Sequence, residues 1–528
     1  MGTHRGRIAF VGAGPGVPSL LTLAAVDMLE SADKIVLTHE EQRGLLTALD
    51  LHGSVEQVAE GESLLTHLLD DALVAVLVDG DPLMDARATR IARECSQAGY
   101  DIDVVPGIPR KTSMPEFAGV SLSDGQVQLI TLHDDVDEHS HWAPSGTLVV
   151  IGAAAQMPEV QRIALASERA ADEPALVTVR AGSTSQRSRS TTVGRIAETV
   201  AGMKVAATTT VVVVIGRQAG ELERAQLDWF ETKPLFGWKV LVPRTQDQAG
   251  PLVRRLATFG ADTQLVPTIA VEEPRTPQQM DRAVQGIVEG RYQWVAFTSA
   301  NAVRALREKA TAWGLDARVF SGLRLAAVGP ATAEALLDWG LRVDLMPTDD
   351  QSAAGLAAEF PAFDELFDPI NRVLVPKADI ATDALAHGLA DLGWEVEDVI
   401  AYRTVRAAPP PLETREMIKT GQFDAVVFTS SSTVRNLVGI AGKPHNASVI
   451  AAIGPQTART CREHGLRVDV QAEHPSALEL ADALARFAEE RRDELAAKGK
   501  PNVRPSLKPR RGRQPAALKR LRESQEDT

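Results

Sequence analysis

The second half of the chain contains an internal repeat. Residues 292–306 (YQWVAFTSANAVRAL) match residues 423–438 (FDAVVFTSSSTVRNLV), and two further pairs of segments, which begin at Trp238 and Asn371 and at Leu323 and Val449, also match. All three pairs keep one order and a separation of roughly 130 residues, which chance similarity does not produce. Each copy predicts a strand, a hydroxylated N-cap and a helix. Residues 238–488 are therefore predicted to form two similar α/β lobes.

Length and charge limit the remaining possibilities. A chain of 528 residues is too long for one core and predicts roughly three or four folded units. Lys and Arg number 56 against 70 Asp and Glu, which gives a net charge of −14. An anionic ligand must therefore be held by local donors, because the overall field repels it.

Cysteine content and hydropathy predict the compartment. Cys95 and Cys461 are the two cysteines, and they show no metal-ligand spacing, which fits a reducing cytosol and excludes a disulfide framework. No apolar run reaches the ~18 residues of a membrane span, and the N-terminus lacks the apolar core of a signal peptide. We expect a soluble, cytoplasmic protein without a membrane partner.

The N-terminal segment has the order of a nucleotide-type site. The predicted strand RIAFVG (residues 7–12) runs into the glycine-rich turn GAGPG (residues 12–16), and a helical pattern follows. A strand, a turn that admits close backbone approach and a helix N-terminus together favour a bound nucleotide. A tight turn without a ligand explains the same pattern, and both interpretations stay open.

Three ordered motifs extend this segment. GAGPG is followed by GDP (residues 80–82) and by VVPGI (residues 104–108), with AGVSL at residues 118–122. This order resembles the uroporphyrinogen-III C-methyltransferase family over residues 7–216. The resemblance implies a two-lobed α/β module that binds S-adenosylmethionine, with Pro15, Gly80 and Asp81 as cofactor contacts.

The chain also departs from that family's pattern. Val17 stands where the family has aspartate, Asp79 replaces the first glycine of the second loop, and long side chains follow PGI. The departing positions are Val17, Leu37, Thr38, Asp79, Pro109, Arg110 and Lys111. The changes remove an acid and place bulk where a flat cofactor needs backbone. They predict a domain, residues 1–232, that kept its fold and lost or weakened its methyl transfer.

A histidine-rich run in this half suggests a metal at first sight. Residues 133–141 read HDDVDEHSH. The run follows a predicted strand, has no helical pair of histidines with apolar backing, and is as polar as a solvated loop. We predict no metal site.

From residue 233 onward a second resemblance covers the chain. The motifs, in order, are VLVPR, FTSAN, VGPAT, AYRT, FTSSS and IGPQT, at residues 240–244, 297–301, 328–332, 401–404, 428–432 and 453–457. They resemble uroporphyrinogen-III synthase. The resemblance implies a domain over residues 233–488, with residues 238–268 and 405–488 in lobe one, residues 273–402 in lobe two, and two crossing segments between them.

The substrate that this resemblance implies is hydroxymethylbilane, a linear tetrapyrrole polycarboxylate. Helix N-termini offer free N–H groups and a partial positive charge to such a ligand. Four turns have the required character, and their candidate substrate residues are Thr298, Ser299, Asn301, Gly329, Thr332, Thr429, Ser430, Ser431, Ser432, Gly454 and Thr457. Ordinary N-capping is the alternative interpretation of each turn taken singly.

Tyr402 is the candidate catalytic residue. It is one of three tyrosines and lies in the crossing segment AYRTV, where the family pattern has tyrosine. Its phenol can donate a hydrogen bond to a departing hydroxyl and stay neutral near pH 7. A tyrosine at a lobe boundary is the alternative. Arg244 and Lys377 end matching strands and are candidate partners of substrate carboxylates, although strand-end bases are often only solvated.

The C-terminus changes composition. Residues 498–522 contain ten Lys and Arg and no acid, with four prolines among them. We predict a last helix that ends near Arg492 and a disordered basic tail within residues 489–528. The tail could contact nucleic acid or acidic partners, but we favour a solubilising extension, because no aromatic residues accompany the charge.

These observations predict an α/β protein whose second module is a uroporphyrinogen-III synthase without a cofactor. S-adenosylmethionine is a possible cofactor of the first module, and a bifunctional enzyme that also methylates its product is the first alternative. A non-catalytic two-lobed binder of a polyanionic metabolite is the second. Neighbouring enzymes of tetrapyrrole synthesis are the expected protein partners.

Overall fold

The computed structural model describes residues 6–49, 51, 54–58, 63–67, 72–123, 125–132 and 142–507. These residues form two compact units. The first contains the chain up to Lys239 together with Arg254–Thr263 and Leu484–Asn502, and the second contains Val240–Val253, Gln264–Ala483 and the residues from Val503. The prediction placed the boundary between residues 232 and 233. In the structure, two pieces that follow this boundary belong to the first unit.

Among the described residues before Lys239, the first unit contains ten strands and seven α-helices. The strands are β1 (Arg7–Gly12), β2 (Lys34–Leu37), β3 (Ser54–Gln57), β4 (Leu73–Val78), β5 (Asp101–Val105), β6 (Val127–Thr131), β7 (Thr147–Ala153), β8 (Pro174–Val179), β9 (Arg187–Thr192) and β10 (Thr210–Ile215). The helices are α1 (Leu23–Ser31), α2 (Arg43–Ala48), α3 (Ala86–Gln97), α4 (Arg110–Phe117), α5 (Met157–Ala166), α6 (Ile196–Gly202) and α7 (Glu221–Leu227).

Two five-stranded sheets organise this unit. The first has the order β3-β2-β4-β1-β5 and is parallel throughout. Strands β1 and β4 are buried along almost their whole length, as parallel strands covered on both faces are. The second sheet, β6-β7-β10-β8-β9, is antiparallel except for the β6–β7 pair. Two sheets confirm the prediction of a two-lobed module.

From Lys239 to residue 507, where the description ends, the chain adds ten strands and ten α-helices. The strands are β11 (Lys239–Val242), β12 (Asp262–Leu265), β13 (Ile269–Glu272), β14 (Trp294–Phe297), β15 (Arg324–Ala327), β16 (Arg372–Ala378), β17 (Glu395–Arg406), β18 (Ala425–Phe428), β19 (Val449–Ala452) and β20 (Val470–Gln471). The helices are α8 (Gln246–Thr258), α9 (Pro277–Val288), α10 (Ala300–Ala312), α11 (Pro330–Leu337), α12 (Ala353–Glu359), α13 (Ala384–Asp391), α14 (Leu412–Thr420), α15 (Ser431–Ala441), α16 (Pro455–Glu463) and α17 (Ala477–Ala497).

The strands of the sequence repeat follow the same order in two separate sheets. One sheet has the order β12-β11-β18-β19-β20 and the other β13-β17-β16-β14-β15. The strands of the matched sequence pairs are neighbours in the same order in the two sheets, β11-β18-β19 in one and β16-β14-β15 in the other. Their ladders are parallel. The prediction of two similar parallel-sheet lobes is confirmed.

The two crossing segments form a ladder of their own. Residues 269–272 are strand β13, which pairs antiparallel with the end of β17, so that Ile269 lies opposite Arg406 and Glu272 opposite Arg403. The sequence placed the end of lobe two at residue 402. Strand β17 continues without a break to Arg406, and the lobe-two sheet therefore spans residues 269–406.

The C-terminal prediction needs correction. Helix α17 continues to Ala497, beyond the predicted end near Arg492. Residues 498–507 are also placed: Pro505 is buried, and the amide of Ser506 donates to Oδ1 of the fully buried Asp424 at 2.9 Å. A buried carboxylate requires hydrogen-bond donors, which explains why the segment around Ser506 is ordered. The basic composition of the segment gives no sign of this contact.

Other predictions lie outside the structure. Residues 508–528 and the histidine-rich run at residues 133–141 are outside the described residues. Across the residues that are described, no helix combines the length and hydropathy needed to cross a bilayer.

Candidate active site

The four hydroxylated or glycine turns begin helices where parallel strands end. Thr298 and Ser299 connect β14 to α10, and Thr429 and Ser430 connect β18 to α15. Glycine caps the other two helices, with Gly329 before α11 and Gly454 before α16. The carboxyl edge of a parallel sheet is the usual place for ligands in open α/β folds.

Two of these turns use their hydroxyls as helix caps. Ser299 Oγ accepts from the amide of Ala302 at 3.2 Å. Ser430 Oγ accepts from the amide of Thr433 at 3.2 Å, and Thr433 Oγ1 accepts from the amide of Ser430 at 3.3 Å. Both serines therefore cap their helices. A ligand bound at these turns must be held by groups that remain available while the caps are formed.

The turns lie in adjacent pairs, one pair in each lobe. The amide of Val328 donates to the carbonyl of Phe297 at 3.1 Å, and the equivalent Ile453 donates to Phe428 at 3.0 Å. In lobe one, Ser431 Oγ also donates to the carbonyl of Gln456 at 3.4 Å. Each lobe therefore places two helix N-termini side by side.

Not every predicted residue in these turns faces outward. Thr332 and Thr457 are each only 5% exposed, within the first turns of α11 and α16. Ser432 is exposed, and its Oγ lies 2.8 Å from Ser430 Oγ. Helices α11 and α16 can therefore offer a ligand their N-terminal backbone N–H groups, but not the buried hydroxyls of Thr332 and Thr457.

Tyr402 lies between the core of lobe two and the first turn. Its side chain is in a cluster with Phe297, Val399 and Ala401, and the residue is 7% exposed. Its hydroxyl is 3.0 Å from Ser299 Oγ. Tyr402 also lines a cavity of about 510 Å³ that includes Asn301. A candidate catalytic phenol and a candidate substrate turn thus meet although 103 residues separate them.

The two candidate bases differ. Arg244 follows β11, and burial lowers the pKa of its guanidinium, which nevertheless stays charged at neutral pH. Lys377 is 9% exposed and forms ion pairs with Asp383, at 2.5 Å, and with Asp398. Burial opposes the charge of Lys377, but the hydrogen bonds that its ammonium donates to these carboxylates outweigh burial and raise the pKa of Lys377. Its charge is therefore matched within lobe two.

The glycine turn of the first unit approaches its neighbours backbone to backbone. Gly14 and Gly80 exchange hydrogen bonds, at 2.8 Å and 3.2 Å. A Cβ added to Gly12 would lie 2.5 Å from the backbone of Gly107. Glycine is required here because no larger residue fits this approach.

The predicted cofactor residues have partners within the chain. Asp81 Oδ1 accepts from the amide of Leu83 at 3.1 Å, and its Oδ2 accepts from the amide of Gly107 at 3.2 Å. Pro15 lines a cavity of about 350 Å³ whose wall also contains Asp79 and Arg110. Arg110 Nη1 donates to Asp79 Oδ2 at 2.7 Å.

Comparison with known proteins relates these two sites to families. Residues 250–482 match the family model described as uroporphyrinogen-III synthase HemD, and residues 7–197 match that of the tetrapyrrole (corrin/porphyrin) methylases. A protein of Methanothermobacter thermautotrophicus, assigned to the uroporphyrinogen-III synthases, is 30% identical over 236 residues, which are 43% of this chain and 89% of that protein. The chain belongs to the uroporphyrinogen-III synthase family.

The same two-part organisation occurs in a relative. The porphyrin biosynthesis protein HemD of Ruminiclostridium josui is 25% identical over 489 residues, covering 88% of this chain and 95% of that protein. A solved uroporphyrin-III C-methyltransferase of Thermus thermophilus aligns with a TM-score of 0.36 at 24% identity, over 42% of this chain and 96% of its own. The family-model match at residues 7–197 shows that a methylase-family module precedes the uroporphyrinogen-III synthase module, as the motifs predicted.

Two features of the uroporphyrinogen-III synthase chain were missed at the sequence level. Arg304 lines the cavity beside Asn301 and Tyr402, and its spacing of three from Asn301 on a predicted helix was the available signal. Asp79 and Arg110 were noted as separate departures and not as an ion pair. The opposite charges of Asp79 and Arg110, which both follow strands of the predicted sheet, could have indicated an ion pair.

Proposed function

We propose that the second module cyclises hydroxymethylbilane to uroporphyrinogen III, with loss of water and inversion of the last pyrrole. Membership of the uroporphyrinogen-III synthase family supports the reaction. The observation that carries the site assignment is the 3.0 Å contact of the Tyr402 hydroxyl with Ser299 at the N-cap of α10. It joins a proton donor to a turn suited to an anion.

The substrate carboxylates are held by the two pairs of helix N-termini. Helices α10, α11, α15 and α16 direct N–H groups and partial positive charge toward the carboxyl edges of their sheets. Backbone donors suit this acidic protein, because they attract a polyanion without requiring a net positive field. Thr298, Thr429 and Ser431, at intermediate exposure in these turns, add hydroxyl donors.

The hydrogen bonding around Ser299 favours Tyr402 as a donor. Because Ser299 Oγ already accepts from the amide of Ala302, its own proton is available for the phenol oxygen. Tyr402 then accepts from Ser299 and keeps its phenolic proton for the departing hydroxyl of the substrate. The pyrroles supply the electron push, so positioning supplies most of the rate, and no cofactor is needed in this step.

A coupled assay tests this function. Hydroxymethylbilane is supplied to the full chain, and the oxidised porphyrins are separated into type I and type III isomers. We expect type III product, because spontaneous closure without ring inversion gives type I. Type I alone would contradict the proposal and favour a two-lobed binder of a polyanionic metabolite.

A second candidate function is supported by the methylase-family match at residues 7–197. In that case the first module would use S-adenosylmethionine, with Pro15, Gly80 and Asp81 as contacts, to methylate the product of the second. Adding this cofactor to the same assay and searching for methylated product tests it. We further propose a cytoplasmic location, which Cys95 and Cys461, both free and buried, support.

A further inference from the structure

An ion pair spans the carboxyl edge of the first parallel sheet. Asp79 follows β4, and Arg110 begins α4 after β5. Strand β1 lies between β4 and β5 in the sheet, so the pair crosses the end of β1, where the glycine turn begins. The Nη1–Oδ2 distance is 2.7 Å, and the side chains of Arg110 and Asp79 are 29% and 32% exposed.

A third loop is tied to the same carboxylate. Gln42 is 3% exposed, and its Nε2 donates to Asp79 Oδ1 at 2.7 Å. Gln42 Oε1 accepts from the amides of Thr38, at 2.9 Å, and His39, at 3.2 Å. We call Gln42, Asp79 and Arg110 the strap. It connects the loops that follow β2, β4 and β5.

The strap occupies the backbone face that a flat cofactor would need. Gly80 has φ of +71°, and a Cβ built on it would lie 3.3 Å from Cγ of Arg110 and 3.2 Å from its amide nitrogen. The aliphatic part of Arg110 therefore covers Gly80. Both oxygens of Asp81 already accept backbone amides. The residues present do not fit S-adenosylmethionine in the manner that the methyltransferase resemblance implies.

We infer that the strap blocks the Gly80 face of the cofactor cleft, so that the first module does not methylate tetrapyrroles. A cofactor that enters must move Arg110 off Gly80 and leave Asp79 without its cation. Removing one partner of a partly buried pair costs more than the pair contributes when intact. This inference is independent of the synthase function, because the two activities are read from different products.

Cofactor binding by the full chain is the first test. We expect no saturable binding of S-adenosylmethionine up to about 1 mM, and no methylated product from uroporphyrinogen III. Saturable binding below about 100 μM, or methylated product, would overturn the inference. A far-UV circular dichroism spectrum and a thermal unfolding transition of the same preparation verify that the chain is folded.

The double variant Asp79→Gly with Arg110→Ala tests the strap as the cause. It clears Gly80 and removes both charges, and we expect affinity for S-adenosylmethionine to rise by at least roughly tenfold. The variant Arg162→Ala, which removes an exposed ion pair with Glu159, is the matched control and should not bind. If the folded double variant binds no better than this control, the strap is not the barrier.

Hydrogen exchange on Arg110→Ala provides a second measurement that does not depend on gaining affinity. The amides of residues 38–42, 79–81, 83 and 84 should exchange roughly threefold to tenfold faster than in the Arg162→Ala control. Unchanged exchange in both loops would show that the ion pair does not hold them together and would overturn the strap.

Discussion

At the residue scale, the site depends on contacts between residues far apart in the chain. The sequence identified Tyr402 as a candidate catalytic residue and Ser299 as a candidate substrate residue, each from its own motif. The 3.0 Å hydrogen bond between them was beyond sequence reasoning, since it requires β17 and the start of α10 to be placed in space. The same holds for Lys377, whose pairing with Asp398 depends on the register of β16 and β17.

Replacing Tyr402 with Phe should lower kcat for type III formation by roughly tenfold with little change in KM, because only a positioned donor is lost. Steady-state assays with hydroxymethylbilane measure this. Tyr292→Phe is the matched control: it lies in the same core, and burial and the nearby Glu397 raise the pKa of its phenol. Equal activity of the two variants would remove Tyr402 from the mechanism.

Replacing Lys377 with Met should lower the melting temperature by roughly 1–3 °C and leave kcat/KM unchanged. The effect is small because the two carboxylates that lose their cation, Asp383 and Asp398, have side chains that are 60% and 44% exposed. A rise in KM without loss of stability would instead identify Lys377 as a substrate contact.

The pH dependence of this effect has a defined sign. Lys377 holds the pKa of Asp383 below its ordinary value of 3.8, and its own pKa is raised above the ordinary 10.5. The stabilisation is therefore complete between these two values, and it is lost as pH falls through the lowered pKa of Asp383 or rises through the raised pKa of Lys377. Melting temperatures of wild type and Lys377→Met should differ equally from pH 5 to pH 9 and converge below pH ~4.

At the element scale, local signals were sufficient for the turns. Small hydroxylated residues before a helical pattern predicted the N-caps, and Ser299 and Ser430 do cap α10 and α15. Local signals did not show that the crossing segments pair as β13 and β17, because an antiparallel ladder between residues more than a hundred apart has no local pattern. The same limit explains why Pro505 and Ser506 were assigned to a disordered tail.

Replacing Ser430 with Gly separates capping from substrate binding. Glycine is an acceptable N-cap that costs only a few tenths of a kcal/mol, so stability should stay near that of wild type. Loss of the hydroxyl should raise KM for hydroxymethylbilane roughly threefold if this turn holds a carboxylate. Ser430→Ala is the companion variant, with about 1 kcal/mol lower stability. An unchanged KM in both variants would restrict Ser430 to capping.

At the scale of the whole molecule, repeat and motif order predicted the architecture. The matched pairs predicted two similar sheets, and the structure places the matched strands next to one another in the same order in both sheets. The boundaries were harder to predict, because pieces of α8 and α17 join the first compact unit although both helices follow the predicted boundary at residue 233. Tertiary contact, and not composition, decides where those helices belong.

Truncation should distinguish the ordered from the predicted disordered part of the C-terminus. A chain that ends at Asn502 loses buried Pro505 and the donor to Asp424, and we expect its unfolding free energy to fall by about 1–3 kcal/mol. A chain that ends at Leu507 keeps both and should match the full chain in stability and in type III formation. Equal stability of the two truncated chains would contradict this account of residues 503–507.

The measurement closest to the central claim is the amount of type III isomer formed per protein molecule. With hydroxymethylbilane in large molar excess over the full chain, we predict type III product far beyond the protein concentration, at a rate proportional to that concentration. Type I product alone, formed at the rate seen without protein, would contradict the assignment of ring inversion to the second module.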